Sequence, residues 1–171
     1  MNLHTVPNHR NNRGTPPSFS EAEFRKGMAA WATGCAVITA EHAGEKVAMV
    51  CNSFNAVSLD PLLVSWCAAR TSSSIEAWSE VTSWAVHILA EDQQALVEKF
   101  SRKGADKFAD IDTFTGTNGA PLLDGCSVVL ECDTWRRYDG GDHIILVGEV
   151  NTLTVNSRKS LVQADGQFLS R

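Results

Sequence analysis

Apolar residues recur at Phe24, Met28 and Trp31, the i, i+4, i+7 spacing of one helical face. Ser20 and Glu23 form the pattern of a capping box just ahead of that run, and Phe19 and Phe24 occupy the two positions of a hydrophobic staple. The spacing predicts a first helix ending near Gly34. Beyond it the period shortens: residues 35–40 and 47–52 flank an Ala43-Gly44-Glu45 turn, which predicts a hairpin. Residues 62–68, 83–89, 127–136 and 144–153 are further β-rich runs. Between them, residues 73–80 and 91–100 have helical composition, with Ser and Asp at the cap positions.

Strands therefore dominate, with about three helices interspersed and no regular β-α-β alternation. The expected class is mainly β with peripheral α-helices, in a closed or nearly closed antiparallel barrel. A chain of 171 residues buries roughly 70% of its unfolded surface around one core. That core is expected over residues 19–171. Residues 1–18 mix Asn, Arg, His, Pro and Gly with little to bury, the composition of a disordered arm. Residues 104–120 read as one long Gly- and Asp-containing excursion, a length often reserved for function or for a partner.

Charge and cysteine usage narrow the function classes. The formal net charge of −5 and a pI near 5.5 lack the basic signature of a nucleic-acid binder. No basic start leads into an apolar signal region, and the uncharged run over residues 27–40 is broken by Thr33 and Gly34, so neither secretion nor a membrane span is expected. The five cysteines make an odd count without a C-x-x-C pair and lie in or beside apolar runs. They read as small buried hydrophobes in a reducing cytoplasm, with no metal site expected.

Candidate chemistry begins at residues 47–61, VAMVCNSFNAVSLDP. Thirteen consecutive positions there carry no charge, yet Asn52, Ser53, Asn55 and Ser58 set small polar groups among apolar ones. Backbone N–H and C=O groups flanked by residues as small as Ala48, Cys51, Asn52, Ser53 and Ala56 suit a flat polar heterocycle. The same pattern also suits a buried strand leading into a Ser-assisted turn at Asp60-Pro61. Arg70-Thr71-Ser72-Ser73-Ser74 precedes a helix start and offers hydroxyls and free amides to a phosphate, with Arg70 adding charge. Alternatively Ser73 caps the helix and Glu76 completes a capping box. Phe100-Ser101-Arg102-Lys103, with Lys107-Phe108 following, either complements a helix dipole or meets a phosphate from a second side. His143 follows an Asp139-Gly140-Gly141-Asp142 turn signal at a hairpin mouth, where a packing role is the plain alternative. His87, inside an apolar run, reads as a satisfied core or interface residue. No nucleophile-elbow, zinc-protease, P-loop or dinucleotide fingerprint occurs, which shifts weight to a role where a cofactor supplies the reactivity.

Taken in order, these segments resemble the short-chain flavin reductases, the reductase components of two-component flavin monooxygenases. The matching pieces are Phe24-Arg25, Trp31-Ala32-Thr33-Gly34, Asn52-Ser53-Phe54, Val57-Ser58-Leu59-Asp60-Pro61, Arg70 to Ser74, Asp106-Lys107-Phe108, Ala120-Pro121-Leu122-Leu123 and Gly141-Asp142-His143. The resemblance implies a homodimer of FMN-binding split barrels in which NADH or NADPH reduces FMN, or alternatively FAD, for a partner monooxygenase. It places Met49, Val50, Cys51, Asn52, Ser53, Ala56, Ser58 and Ala68 along the flavin ring and its side chain. Ser72, Ser73 and Ser74 fall at the phosphate, with Phe100, Ser101, Arg102 and Lys107 beside them. His143 is implied at the nicotinamide, with Thr33 and Gly34 bordering the same pocket. The chain departs from the family pattern in two places: the family commonly has Gly-Met-Thr-Val-Ser-Ser where this chain has Val47-Ala48-Met49-Val50-Cys51-Asn52-Ser53, and a second proline where this chain has Leu62. The alternative is a flavoprotein that keeps FMN bound and passes electrons to another acceptor, such as a metal-containing tetrapyrrole, or serves as an electron carrier.

Overall fold

A computed structural model of the protein describes residues 17–102 and 106–169. The arm expected over residues 1–18 lies outside them except for Pro17 and Ser18, and so does Lys103. Helix α1, Glu21–Ala29, starts as its sequence dictates: Ser20 Oγ accepts from the Glu23 N–H, and the Glu23 carboxylate accepts from the Ser20 N–H at 2.7 Å. Phe19 and Phe24 stack with centroids 6.2 Å apart. The helix stops at Ala29, short of the expected Gly34. Thr33–Gly34 is instead strand β1, drawn into a small sheet with β11 (Val162–Ala164) and β12 (Gln167–Leu169). In the turn between β11 and β12, the Asp165 N–H donates to the Ala29 carbonyl, which takes one acceptor of the helix end.

The main sheet has seven antiparallel strands: β2 (Ala36–His42), β3 (Glu45–Cys51), β4 (Asn55–Leu59), β5 (Leu62–Ala69), β6 (Ser83–Ile88), β9 (Val128–Gly140) and β10 (His143–Val155). Their order is β3-β2-β6-β9-β10-β5-β4, so β3 and β4 are the two edges. The sheet curls without closing, the split form of the expected antiparallel barrel. Residues 47–61 also differ from a strand running into a turn. They form β3 at one edge, cross over Asn52, Ser53 and Phe54, and become β4 at the other. The crossing is stitched where the Cys67 N–H of β5 donates to Ser53 Oγ at 3.0 Å. The turn from β4 to β5 passes through a cis Asp60-Pro61 bond.

Alternation along the strands sends side chains to two cores. Inside the curl, Ala36, Ile38, Cys51, Val64 and Leu146 surround Trp66, Trp78 and Trp84, all three fully buried. Trp66 meets Trp78 edge-on at 4.9 Å and Trp84 at 6.0 Å, contacts worth roughly 0.5–1.5 kcal/mol each beyond burial. At Gly148 a Cβ would collide with the Trp84 ring. On the outer face, helix α3 (Gln94–Ser101) drops Phe100 onto Val37, Ala48, Leu89 and Leu123. Helix α2 (Ile75–Glu80) covers one end with Trp78.

The excursion over residues 104–120 carries structure that its polarity concealed. Strand β7 (Thr113–Thr115) pairs with β8 (Pro121–Leu123), and the loop between them roofs buried polar groups of the main sheet. There Glu131 accepts from Thr117 Oγ1 at 2.9 Å and from the Asn118 N–H at 3.1 Å. His87 is fully buried, with Nδ1 3.1 Å from the Val37 carbonyl and Nε2 without a hydrogen-bond partner among the described residues. Burial pushes its pKa down to about 4, so it is neutral and Nδ1 is the donor. All five cysteines are free, and no described helix is long and apolar enough to cross a membrane.

Candidate functional site

Two cavities open where the sheet edges fail to meet. The first, about 410 Å³, gathers Met49 and Val50 of β3, Ala69 at the end of β5, Thr71, Ser72 and Ser73 before α2, Phe100, Ser101 and Arg102 at the end of α3, and Lys107. Eight of these were named from sequence. Thr71 was named only as part of the hydroxyl-rich run, and Ala69 was not named at all. Ala68, expected at the flavin, points into the core, and its neighbour Ala69 takes the lining position because successive strand residues face opposite ways.

The electrostatics of this cavity suit an anion. Arg102 and Lys107 line it, and no carboxylate among the described residues does. Burial holds the Lys107 pKa below its ordinary value, and Lys107 Nζ donates to the Ala48 carbonyl at 3.0 Å. That carbonyl belongs to an edge strand, which leaves backbone groups unpaired by any neighbouring strand. Serine hydroxyls and cations thus converge from three separate segments, an arrangement that fits a phosphate. The capping box expected of Ser73 and Glu76 does not form. Ser74 is the N-cap residue and makes no side-chain cap bond, while Ser72 Oγ accepts from the Ser74 N–H at 3.2 Å.

The second cavity, about 620 Å³, is walled by Met28, Ala29, Trp31 and Ala32, by Thr33 and Gly34, by Asn52 to Asn55, and by Gln163, Ala164 and Gly166. Thr33, Gly34, Asn52 and Ser53 were expected in a site. Trp31, Met28 and Phe54 were read as helix stripe or strand, and Gln163 carried no sequence signal. The two cavities share one wall, because β3 supplies Met49 and Val50 to the first and runs on through Asn52 and Ser53 to the second. Between them Cys51 turns its thiol into the core, where burial raises its pKa, and it lines neither cavity. Ala56 and Ser58 lie on β4 and line neither cavity; Ser58 Oγ accepts from the Asp60 N–H and closes the turn.

His143 opens β10, in register with Ala69 of β5 and Gly140 of β9. It therefore stands beside the first cavity, whereas Thr33 and Gly34 border the second; the structure does not bring the three into one pocket. Its Nδ1 lies 2.7 Å from Asp142 Oδ1. That bond, then the charge of His143, holds the Asp142 carboxyl below the usual range, with a smaller contribution from Arg25 of α1. Arg70 is the clearest departure from expectation. It does not line the phosphate-like cavity but donates to the hairpin tip, from Nη2 to Asp139 at 2.8 Å and from Nε to the Gly141 carbonyl at 3.0 Å.

The chain is similar to several known proteins. The chain is 40% identical to the FMN reductase (NADH) SmoA of Agrobacterium fabrum over 79% of its length and 77% of that protein's. It is 39% identical to the actinorhodin polyketide dimerase of Streptomyces coelicolor, again over 79% of this chain and 77% of the relative. The reductase subunit HsaB of a Rhodococcus jostii flavin-dependent monooxygenase is 35% identical over 85% of this chain and 75% of its own. Among solved structures, the Streptomyces globisporus NADH:FAD oxidoreductase SgcE6, in complex with NAD and FAD fragments, superposes with a TM-score of 0.83 at 32% identity, covering 88% of this chain and 92% of that one. Residues 28–170 match the flavin reductase like domain. With that match over most of its length and a barrel that is split, the chain belongs to the flavin reductase-like family of oxidoreductases.

Proposed function

We propose that this protein passes hydride from NADH to FMN or FAD and releases the reduced flavin to a partner monooxygenase. The observation that carries the reading is the single β3 edge joining two cavities, one of them lined by two cations and serine hydroxyls. A flavin bound there supplies the hydride acceptor; the chain supplies position and charge. Ser72, Ser73, Ser101, Arg102 and Lys107 hold the phosphate, the backbone of Met49 to Ser53 borders the ring, and His143 orients the nicotinamide. Hydride transfer needs no side-chain nucleophile, which agrees with the missing acid–base motif. NADH is preferred here because two relatives carry it in their names. FMN and FAD both occur among relatives, so the flavin is left to the assay.

The same proposal includes a homodimer in a reducing cytoplasm. Phe24, Met28 and Trp31 of the α1 segment are 55%, 52% and 72% exposed, an apolar face left largely uncovered among the described residues. Steady-state oxidation of NADH and NADPH with FMN, with FAD and with no added flavin tests the activity, and sedimentation tests the dimer. Turnover only with added flavin supports a reductase that releases its product. A yellow protein that turns over without added flavin supports instead a bound carrier, and no turnover under any condition removes the assignment.

A further inference from the structure

We propose that Arg70 is a positioning residue that fixes the hairpin tip bearing His143, and so serves nicotinamide binding without touching the flavin phosphate. The inference rests on the reading of His143 given above. Four interactions converge on the tip over residues 139–143. The Arg70 guanidinium donates to Asp139 Oδ1 at 2.8 Å and to the Gly141 carbonyl at 3.0 Å, and the Arg70 backbone N–H donates to the Asp142 carbonyl at 2.9 Å. Asp139 Oδ1 accepts in addition from the Gly141 N–H at 3.2 Å. One side chain thus grips the tip at both its carboxylate and its backbone.

The tip needs such a grip. Gly141 has φ +77°, and a Cβ at Gly140 would press on Ile145 and the His143 carbonyl, so the turn is made of residues with wide backbone freedom. Exposed glycine turns of that kind move readily unless other groups pin them. His143 is the first residue past the turn, and its Nδ1 is taken by Asp142, itself part of the tip. Any displacement of the tip is therefore passed to the His143 ring. Arg70 is also covalently next to Thr71, which with Ser72 and Ser73 lines the anion-suited cavity. The tip is thereby tied to the segment assigned above to the flavin phosphate.

The ligand-free protein and three variants, Arg70→Met, Arg70→Lys and Asp139→Asn, decide the matter. Hydrogen exchange needs no cofactor: in Arg70→Met, amides over residues 139–144 should exchange about tenfold faster, with helix α3 unchanged. In turnover the same variant should raise the KM for NADH about tenfold while kcat and the flavin Kd, read by fluorescence quenching, stay within about twofold. Asp139→Asn should move the same readouts in the same direction. Arg70→Lys should recover part of the loss, because a lysine keeps the ion pair but not the second bond to Gly141. Unchanged exchange at the tip overturns the proposal. A weakened flavin Kd with an unchanged NADH KM also overturns it and puts Arg70 on the phosphate. If the parent protein oxidises no nicotinamide nucleotide, the assigned activity fails, and loosening of the tip still decides whether Arg70 holds it.

Discussion

At Gly148 the backbone of β10 runs directly beneath the Trp84 ring, and Trp84 is anchored by its Nε1–H donating to Thr134 Oγ1 at 3.1 Å. Gly148→Ala should therefore cost about 1–3 kcal/mol, read as a lower urea midpoint; an unchanged midpoint would mean that the ring has room to shift. His87 gives a prediction of opposite kind, in pH. Its folded pKa of about 4 lies below the unfolded value of 6.5, so the unfolded chain binds the extra proton between those two values. The stability it supports is complete above pH 6.5 and is lost as pH falls toward 4, by about 3 kcal/mol in all. His87→Asn should show a shallower loss of stability over that window than the parent, and an equal slope would sink the assignment. Neither residue was fully legible in sequence. His87 could be read as buried from its apolar neighbours, but the unpaired Nε2 depends on strands far away in the chain. Cys51 was placed beside the ligand by order alone, whereas strand parity turns its thiol inward. Arg70 sat in a hydroxyl-rich run and looked like a phosphate ligand, until the fold brought an acidic turn from residue 139 within its reach.

Helix α3 ends at the first cavity: Phe100, fully buried and edge-on to Phe108 at 5.4 Å, seats the turn that carries Ser101 and Arg102. Phe100→Ala should cost about 3–5 kcal/mol in thermal or urea unfolding. It should also weaken flavin binding at temperatures where the variant remains folded, measured by fluorescence quenching. Full flavin affinity in a folded variant would show that the seat is dispensable. Elements whose signals are local were readable. The capping box and staple of α1 lie within a few residues of each other, and β5, β6, β9 and β10 are each long enough for a β-rich run to show. Elements defined by a distant partner were not. Strand β4 looked like a turn because Asp60-Pro61 follows it and its apolar residues stay exposed at an edge. Strands β1, β7 and β8 are two or three residues each, too short for a period to show.

For the molecule as a whole, fold class and family could be read because the order of many weak segments survives without any one being decisive. What could not be read is that residues 47–61 touch both edges of one sheet, since edge position is a property of the completed strand order. The cysteines turn that same architecture into a set of internal gauges. Burial raises the thiols of Cys35 and Cys51, and carries Cys126 to about 11 and Cys132 to about 12, whereas Cys67 on β5 is only partly buried. A thiol reagent needs the thiolate and a path to it, so Cys67 should be modified first. The other four should follow on the order of a hundredfold more slowly, each at the rate at which its part of the barrel opens. Mass spectrometry of a labelling time course checks this, and early modification of Cys132 would contradict it. Cys51 lies where the chain leaves β3 for the crossing and Cys132 deep in the central strands, so the spacing of their rates would report whether the seam parts before the barrel does.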